Sequence, residues 1–494
     1  MSKISGHRRA YGQFFTPPPV VECCYALLDG LLPAAPRIVD PACGDGAFLR
    51  YAAERSIAAP DRLDGCDVDP ALVGALAAAG LAGVRLADGL DPASLPAAAF
   101  DLAIGNPPFG IAASVSGAGK SGLASEVLFL LRALDLARPG GYVALVLPSG
   151  VLANERLRAL RADLLARCAL LAVVALPRAT FRDTGTNAAC SILLLRNAPA
   201  PTGHRVFFAL PERLEDLPQV VEAYHGRWDN AQRTTQSPIA NLQSPRTFWL
   251  PQAPELARRM DSAFWRPEQR ALLERLAARH PLRPLGEVIA PRRDLIVGDH
   301  VRPSRGEAKG AGLPYEYYQT REFMAAGYNY AAIERCDERA YQRLRRTAVR
   351  QHDILVSCAG VGGAGRGRVC LVTHAPGRSC TGDVFIVRAA PPLPIYLFLF
   401  LSAAAGRAQL LRLQNGVGTA NLSADELLQV ELPLVPASTQ HEIAGRYAPV
   451  ASAHASAMAG LARGDDAAFR RDRARSEALL AALTAEVERL LIGE

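Results

Sequence analysis

Residues Asp101 to Phe109 read Asp-Leu-Ala-Ile-Gly-Asn-Pro-Pro-Phe, an apolar run that ends in Asn106-Pro107-Pro108-Phe109. This tetrapeptide suits methyl transfer to an exocyclic amine. The lone pair of an aromatic amino group is delocalised into its ring, so the nitrogen becomes a good nucleophile when acceptors hold its two hydrogens in a tetrahedral arrangement. The Asn106 side-chain oxygen would take one N–H and the Pro107 carbonyl the other, because prolines carry no donor and fix the local chain direction. Phe109 adds a flat face on which a base stacks. Taken alone, the same residues also read as an ordinary Asn-Pro turn after a strand. The flanking sequence has to decide between the two.

Three upstream segments repeat the pattern of an apolar run ending in an acid. Arg37-Ile38-Val39-Asp40-Pro41-Ala42-Cys43-Gly44-Asp45-Gly46-Ala47-Phe48-Leu49 reads as a buried strand, a glycine-bearing turn and a helix start. Glycines there let backbone approach a ligand closely. The spacing is not Gly-x-Gly-x-x-Gly and no phosphate-loop Lys is present, which argues against a pyrophosphate ligand. Asp40 and Asp45 bring negative charge to the turn, which suits a cation. Leu63 to Asp67 ends a second run, where a carboxylate accepts from ribose hydroxyls. Val84 to Asp88 ends a third, where Asp88 is placed to accept from an adenine amino group. Each acid alone is also an ordinary cap or turn residue. Their succession ahead of Asn106 favours the chemical reading.

In order and content these segments resemble the gamma-type DNA adenine N6-methyltransferases of bacterial restriction–modification systems, over residues 1–200. The resemblance implies S-adenosylmethionine as cofactor and a doubly wound, mostly parallel α/β methyltransferase sheet. Gly12-Gln13-Phe14-Phe15-Thr16-Pro17 is similar to the family's N-terminal segment, which implies that Thr16 holds the methionine end of the cofactor. It further implies Asp40, Ala42 and Gly44 in the cofactor loop, Asp67 at the ribose and Asp88 at the adenine ring. Asn106, Pro107 and Phe109 become the catalytic set. Asp45 departs from the pattern, since a small Ser is frequent there. Phe181-Arg182-Asp183-Thr184-Gly185-Thr186-Asn187 is similar to the segment beside an extruded base, which implies that Phe181 and Phe109 bind substrate; an ordinary core Phe is the alternative for Phe181.

The remaining N-terminal sequence predicts the same architecture from periodicity. Ser125 to Arg138 carries leucines at helical spacing, and Pro139-Gly140-Gly141 turns the chain into the buried strand Tyr142 to Pro148. Short apolar strands alternating with helices mean a parallel sheet covered on both faces, with ligands at the carboxyl ends of the strands.

Composition adds modest limits. The chain has 494 residues, 50% of them hydrophobic, enough for more than one buried core. Lys plus Arg of 55 against Asp plus Glu of 48 gives +7, which permits nucleic-acid binding without requiring it. Lys occurs only at Lys3, Lys120 and Lys309; the excess of Arg, like that of Ala, also fits a GC-rich gene. The 10 cysteines are scattered, with no Cys-x-x-Cys pair and no His cluster at metal spacing, so no zinc site is expected. No signal peptide or long uncharged span is present, so a reduced cytoplasm is the expected compartment. Leu393 to Ala405 is too short to span a bilayer and reads as a buried helix. Cys43 reads as a packing residue, since amine methylation needs no covalent intermediate.

A boundary is expected after Asn197, where Ala198-Pro199-Ala200-Pro201-Thr202-Gly203 breaks the pattern, followed by a connecting segment over 201–281. Its polar stretch from His225 to Thr247 lies near Trp228 and Trp249, which either stack on nucleic acid or pack in an interface. Pro284 to Val288, the strand Asp353 to Ser357 with Gly360, Gly362 and Gly363, the stretch Gln414 to Ser423, and the closing Val430 to Pro436 and Gln440 to Ile443 together are similar to one target-recognition domain of type I restriction specificity subunits. The resemblance implies an α+β DNA reader over 282–443. Arg292, Arg293, Arg305, Arg366 and Arg368 are candidates for base edges, though each also reads as part of a solvated face. In the helical segment 444–494, Leu479, Leu483, Val487, Leu490 and Leu491 fall on one stripe. That stripe predicts either a homodimer through the C-terminal helices or packing on its own domain.

The expected function is therefore a sequence-specific DNA adenine N6-methyltransferase acting on double-stranded DNA. The chain starts almost at the cofactor segment, so it is expected to modify rather than cut, beside a separate nuclease or defence subunit. Methylation of RNA adenine or of a protein glutamine amide are alternatives in the same chemistry, and cytosine N4 is disfavoured because Ser commonly replaces Asn there. A catalytically inactive DNA-binding specificity subunit is the alternative from another class.

Overall fold

The computed structural model describes residues 15–109, 123–182, 188–231, 246–298, 312–358, 367–382, 384–413 and 422–493. They form two compact units, the first closing at Trp265 and the second opening at Arg266.

The first unit is built on nine strands: β1 (Ile38–Asp40), β2 (Leu63–Asp67), β3 (Val84–Leu86), β4 (Phe100–Gly105), β5 (Ala137–Pro148), β6 (Ala169–Ala175), β7 (Cys190–Arg196), β8 (Arg205–Leu210) and β9 (Arg246–Pro251). Their order in the sheet is β3-β2-β1-β4-β5-β7-β6-β8-β9. Strands β1 to β5 are parallel; β7 runs antiparallel between β5 and β6, and β9 is antiparallel to β8. The α/β class expected from the sequence is borne out. Successive side chains alternate between faces, so Ile38, Ile104, Val146 and Ile192 enter one core while Val39, Ala103, Leu145 and Leu193 enter the other. All eight are fully or almost fully buried, each larger one contributing on the order of 1.5–3 kcal/mol. The strand order reverses between β1 and β4, which opens a crevice at their carboxyl ends.

The helices that flank or brace this sheet include α1 (Pro18–Ala26), α2 (Ala47–Glu54), α3 (Pro70–Ala78), α4 (Ser125–Leu136), α5 (Arg158–Arg167) and α6 (Leu217–Ala231). Helix α3 starts at Pro70, with the Asp69 carboxylate accepting from Ala71 N–H as its cap. Helix α4 ends at Leu136, two residues short of the expected Arg138, because the chain already pairs with β4 at Ala137.

The turn at 198–203 does not end this unit. Phe207 and Phe208 on β8 point to opposite faces and extend both cores, Phe207 against Tyr224 and Trp249, and Phe208 stacked on Phe248. Trp249 is thus a core residue, stacked on Tyr224 at 5.9 Å; the Trp228 side chain lies outside the described residues. Two polar clamps fasten the end of the unit. Arg161 on α5 is fully buried and donates to the carbonyls of Ala257, Val151, Asn154 and Arg258. Gln252 accepts from Leu170 N–H and donates to the Leu165 and Cys168 carbonyls.

The second unit is α+β. Strands β10 (Leu282–Pro284) and β20 (Glu431–Pro433) form an antiparallel pair. Strands β11 (Leu295–Val297), β16 (Ile354–Ser357), β17 (Val369–Leu371) and β19 (Val384–Val387) form an antiparallel sheet in the order β11-β19-β16-β17. Strands β12 (Tyr315–Tyr318), β15 (Glu334–Cys336) and β18 (Ser379–Thr381) make a third, and β13 (Phe323–Met324) and β14 (Gly327–Tyr328) a short hairpin. Helix α7 (Pro267–Ala277) precedes them; α8 (Leu393–Ser402), α9 (Ala404–Leu413), α10 (Ala437–Arg446), α11 (Ala448–Ala462) and α12 (Asp466–Ile492) come after. Tyr396 to Leu401 on α8 are wholly buried, and no single helix among the described residues is long and apolar enough to cross a membrane. The buried stripe of α12 is Ser476, Leu480, Leu483, Val487 and Leu491, packed within its own unit against α11 and α8. Leu490 is 45% exposed, and Leu480 rather than Leu479 is buried; both stripes fit a period of 3.6 residues, and the packing against α11 and α8 sets the phase.

Of the arginines proposed to read bases, Arg292 is exposed, Arg293 is bonded to Asp294 through Nε and Nη2, and Arg368 donates to the Phe323 carbonyl. Arg305, Arg366, the glycines at 360–363 and the stretch 414–421 lie outside the described residues.

Candidate active site

The carboxyl ends of β1, β2, β3 and β4 bring Asp40, Asp67, Asp88 and Asn106 to one edge of the sheet. Strand β1 is apolar and buried up to Asp40, itself only 2% exposed. Asp40 Oδ1 accepts from Ala42 N–H at 3.0 Å, which folds the chain into the turn before α2. Gly44 and Gly46 take φ of +54° and +75°, left-handed values that glycine adopts without strain. The turn docks on β2: Cys43 N–H bonds the Cys66 carbonyl at 2.9 Å, and Gly44 N–H bonds Asp67 Oδ2 at 2.8 Å. The Phe15 ring lies against Gly44, with its Cε1 3.8 Å from where a Cβ would stand, and Thr16 comes next, half-buried, just before α1.

Charge separates the acids of this half-sheet into two groups. At the amino edge, Asp64 pairs with Arg37 and Arg85, and Asp101 with Arg138 at 2.6 Å. At the carboxyl edge, Asp40, Asp67 and Asp88 have no ion-pair partner among the described residues. Burial pushes the Asp40 carboxyl up to about 8, against the pull of the Ala42 N–H and with further lift from the charges of Asp67 and Asp45. Burial likewise raises Asp67, against hydrogen bonds from the Asp69 and Gly44 amides. Asp67 uses one lone pair on each oxygen for those amides, which leaves acceptor capacity for hydroxyl groups. Asp88 is exposed and accepts from Leu90 N–H at 2.9 Å.

An uncompensated cluster of acids suits a cationic, hydroxyl-bearing ligand. Among the described residues no group of His, Cys, Asp and Glu is arranged to hold a metal ion. Beside the acids, Val68 and Leu86 are 49% and 58% exposed, and Leu86 is the register partner of Asp67 on the neighbouring strand. Two exposed apolar side chains next to a carboxylate offer a seat for a flat ring. This donor set fits S-adenosylmethionine in kind: carboxylates for its positive charges and ribose, apolar contact for its adenine.

Strand β4 ends at Gly105, where a Cβ would fall 2.5 Å from Asp40 Oδ1. Only glycine lets the strand carrying Asn106 lie directly against that carboxyl. Pro107 is buried, Asn106 and Pro108 are half-buried, and the Pro108 carbonyl accepts from Ser125 Oγ at 2.8 Å. Phe109 is 6% exposed and meets Phe181, 1% exposed, edge to face at 6.5 Å and 85°. The two rings named as substrate contacts are therefore brought together, but packed against each other rather than open to a base. Asp183 to Asn187 lie outside the described residues. Cys43 is buried and its thiol pushed far up, first by burial and then by Asp40, which keeps it protonated and inert.

Gly105, Val68, Leu86, Ser125 and Arg132 escaped the sequence reading. A glycine immediately before Asn-Pro-Pro-Phe and an apolar residue immediately after Asp67 were the available signals for the first two.

Residues 77–217, all within the first unit, match the family described as N-6 DNA methylase. A stretch covering 27% of the chain is 28% identical over 140 residues to the defense against restriction protein B of Escherichia phage P1, and spans 6% of that protein's length. Among solved structures, a modification subunit of a putative type I restriction enzyme from Vibrio vulnificus YJ016 is 19% identical, with 50% of this chain and 58% of that chain covered and a TM-score of 0.38. The type IIG restriction endonuclease BpuSI is 13% identical, with 96% of this chain and 67% of that chain covered and a TM-score of 0.45.

Proposed function

We propose that this protein is a sequence-specific DNA methyltransferase that transfers a methyl group from S-adenosylmethionine to adenine N6, as part of a restriction–modification or related defence system. The observation that carries the reading is the edge at which three carboxylates without ion-pair partners among the described residues, at the ends of β1 and β2 and just past the end of β3, adjoin Asn106-Pro107-Pro108-Phe109 at the end of β4. The match to the N-6 DNA methylase family over residues 77–217 supports it.

When bound, S-adenosylmethionine supplies an electrophilic methyl group on a sulfonium centre. Asp40 balances positive charge beside the Gly44 turn, Asp67 accepts from ribose hydroxyls, Asp88 accepts from the adenine amino group, and Thr16 lies at the methionine end. Asn106 Oδ1 and the Pro107 carbonyl accept the two N–H bonds of the target amine, which draws its lone pair out of the ring and aims it. Proximity and these acceptors are the main sources of rate, since no covalent intermediate is required. Base extrusion costs a few kcal/mol, and stacking on an aromatic face recovers part of it. For that, Phe109 must part from Phe181. The second unit reads the DNA sequence over residues 282–443.

The test uses the purified full chain, labelled S-adenosylmethionine and genomic DNA lacking adenine methylation. Asn106→Ala should abolish transfer while cofactor affinity, measured by calorimetry, stays within about twofold. Asp67→Ala should show chiefly weakened cofactor binding. Near-normal turnover in Asn106→Ala contradicts the assignment.

A further inference from the structure

Helix α4 comes after the candidate catalytic segment in the chain, and its buried residues include the polar Ser125, Glu126 and Arg132; Ser125 and Arg132 stand seven positions apart. Seven residues are almost two full turns, so both side chains leave the helix on the same side, about 10 Å apart along its axis. Both are nearly buried, at 3% and 6% exposure. Ser125 Oγ donates to the Pro108 carbonyl at 2.8 Å, with Glu126 Oε2 as a second neighbour at 3.2 Å. Arg132 holds a different loop. Its Nε donates to the Gly89 carbonyl at 3.1 Å, and its Nη2 to those of Leu95 at 2.9 Å, Asp91 at 3.3 Å and Pro92 at 3.5 Å.

The loop that Arg132 grips begins at Asp88 and is otherwise short of regular pairing. It consists of two consecutive turns in which Asp88 Oδ1 accepts from Leu90 N–H and Asp91 Oδ1 from Ala93 N–H. Its carbonyls face inward, where a guanidinium with several fixed donors can satisfy them together; an ammonium donates from a single point and cannot span the set. The loop also lies directly on the turn after β1, since a Cβ on Gly89 would stand 1.8 Å from the Pro41 carbonyl oxygen. Burial lowers the affinity of the Arg132 guanidinium for its proton, and a buried charge is retained at a cost that the carbonyl bonds offset.

We propose that α4 is a two-point brace, in which Arg132 is a positioning residue for the cofactor edge at Asp88 and Ser125 a positioning residue for the catalytic segment at Asn106. This rests on the reading of the site as a place for S-adenosylmethionine and a target amine. One rigid helix fixes the spacing between the loop that holds the adenine end of the cofactor and the segment that holds the amine. The two contacts act on different kinetic terms: Arg132 on cofactor affinity, Ser125 on turnover.

The experiment compares the full-length wild type with Arg132→Lys and Ser125→Ala by three measurements. Amide hydrogen exchange in the ligand-free protein should rise at least about tenfold over residues 89–95 in Arg132→Lys and stay unchanged there in Ser125→Ala. S-adenosylmethionine affinity by calorimetry should weaken about tenfold in Arg132→Lys, with kcat at saturating cofactor within about twofold. Ser125→Ala should lower kcat about tenfold at unchanged cofactor affinity. Unchanged exchange or unchanged affinity in a folded Arg132→Lys overturns the brace, as does a Ser125→Ala that weakens cofactor binding as much as Arg132→Lys. If Arg132→Lys does not fold, Ser125→Ala decides, and an unaltered kcat overturns it. A wild type that binds no S-adenosylmethionine overturns the reading of the site, and the exchange measurement then decides the Arg132 grip alone.

Discussion

In the proposed site, Asp40 would make cofactor affinity depend on pH in a way that can be worked out in advance. Its carboxyl is pushed up to about 8 by burial, so the ligand-free protein holds it mostly neutral at pH 7. A cation placed beside it favours the ionised form, and binding must therefore release a proton below pH 8. If only the ionised form binds tightly, affinity falls about tenfold for each pH unit below that point. At pH 6 the ionised fraction is on the order of 1%, equivalent to about 2.7 kcal/mol at 1.36 kcal/mol per unit. The α-amino group of the ligand titrates nearby, at about 7.7–8, and loses its own charge as pH rises, which opposes the trend at the upper end. Comparison with Asp40→Asn removes that contribution. The assay is calorimetric titration with S-adenosylmethionine from pH 6 to 9 in buffers of different ionisation enthalpy. The wild type should gain affinity relative to Asp40→Asn by about two orders of magnitude across pH 6 to 8, with up to one proton released near pH 7. The linkage has a second consequence for the ligand-free fold. A carboxyl raised from 3.8 binds its proton more tightly folded than unfolded, so this group's contribution to stability declines as pH rises through the window from about 4 to 8. Parallel pH profiles for wild type and Asp40→Asn would refute the reasoning.

Gly105→Ala places a methyl group 2.5 Å from Asp40 Oδ1, a carboxyl already fixed by Ala42 N–H, so cofactor affinity should fall by roughly 1–3 kcal/mol, read by calorimetry. Arg161→Met leaves the carbonyls of Val151, Asn154, Ala257 and Arg258 without their buried donor, at a cost of roughly 3 kcal/mol; thermal unfolding of the first unit should drop by on the order of 10 °C. Exchanging residues 282–443 for the matching module of a related enzyme should move methylation to a new DNA site, since base-edge contacts discriminate by about 1–3 kcal/mol each while phosphate contacts only position. An active chimera that keeps the original site would place recognition elsewhere.

The strands that carry the candidate site were legible because their signal is local. Ile38–Asp40, Leu63–Asp67, Val84–Leu86 and Phe100–Gly105 are short apolar runs, and the acid or Asn-Pro step that stops each one also marks the carboxyl end where ligands collect. What escaped depends on partners far away in sequence. Arg132 and Arg161 look like ordinary helix-surface residues until the loops they bind, 37 to 43 and up to 97 residues distant, are in place. The Pro- and Ala-rich turn at 198–203 resembles a linker, yet Phe207 and Phe208 continue both cores beyond it, because alternation on β8, which pairs with β6, finds partners on α6 and β9 far from it in sequence. On α12 the periodicity was readable but its phase was not: Leu479 and Leu480 are adjacent, and only the packing against α11 and α8 selects the second.

The most direct measurement is to express the full chain in a host devoid of adenine methylation and map modified bases across that host's genome, beside the Asn106→Ala variant. The proposed function predicts N6-methyladenine confined to one recurring sequence context with the wild type and absent with the variant. A folded, expressed wild type that leaves every adenine unmodified, or a variant that methylates as well as the wild type, would contradict it.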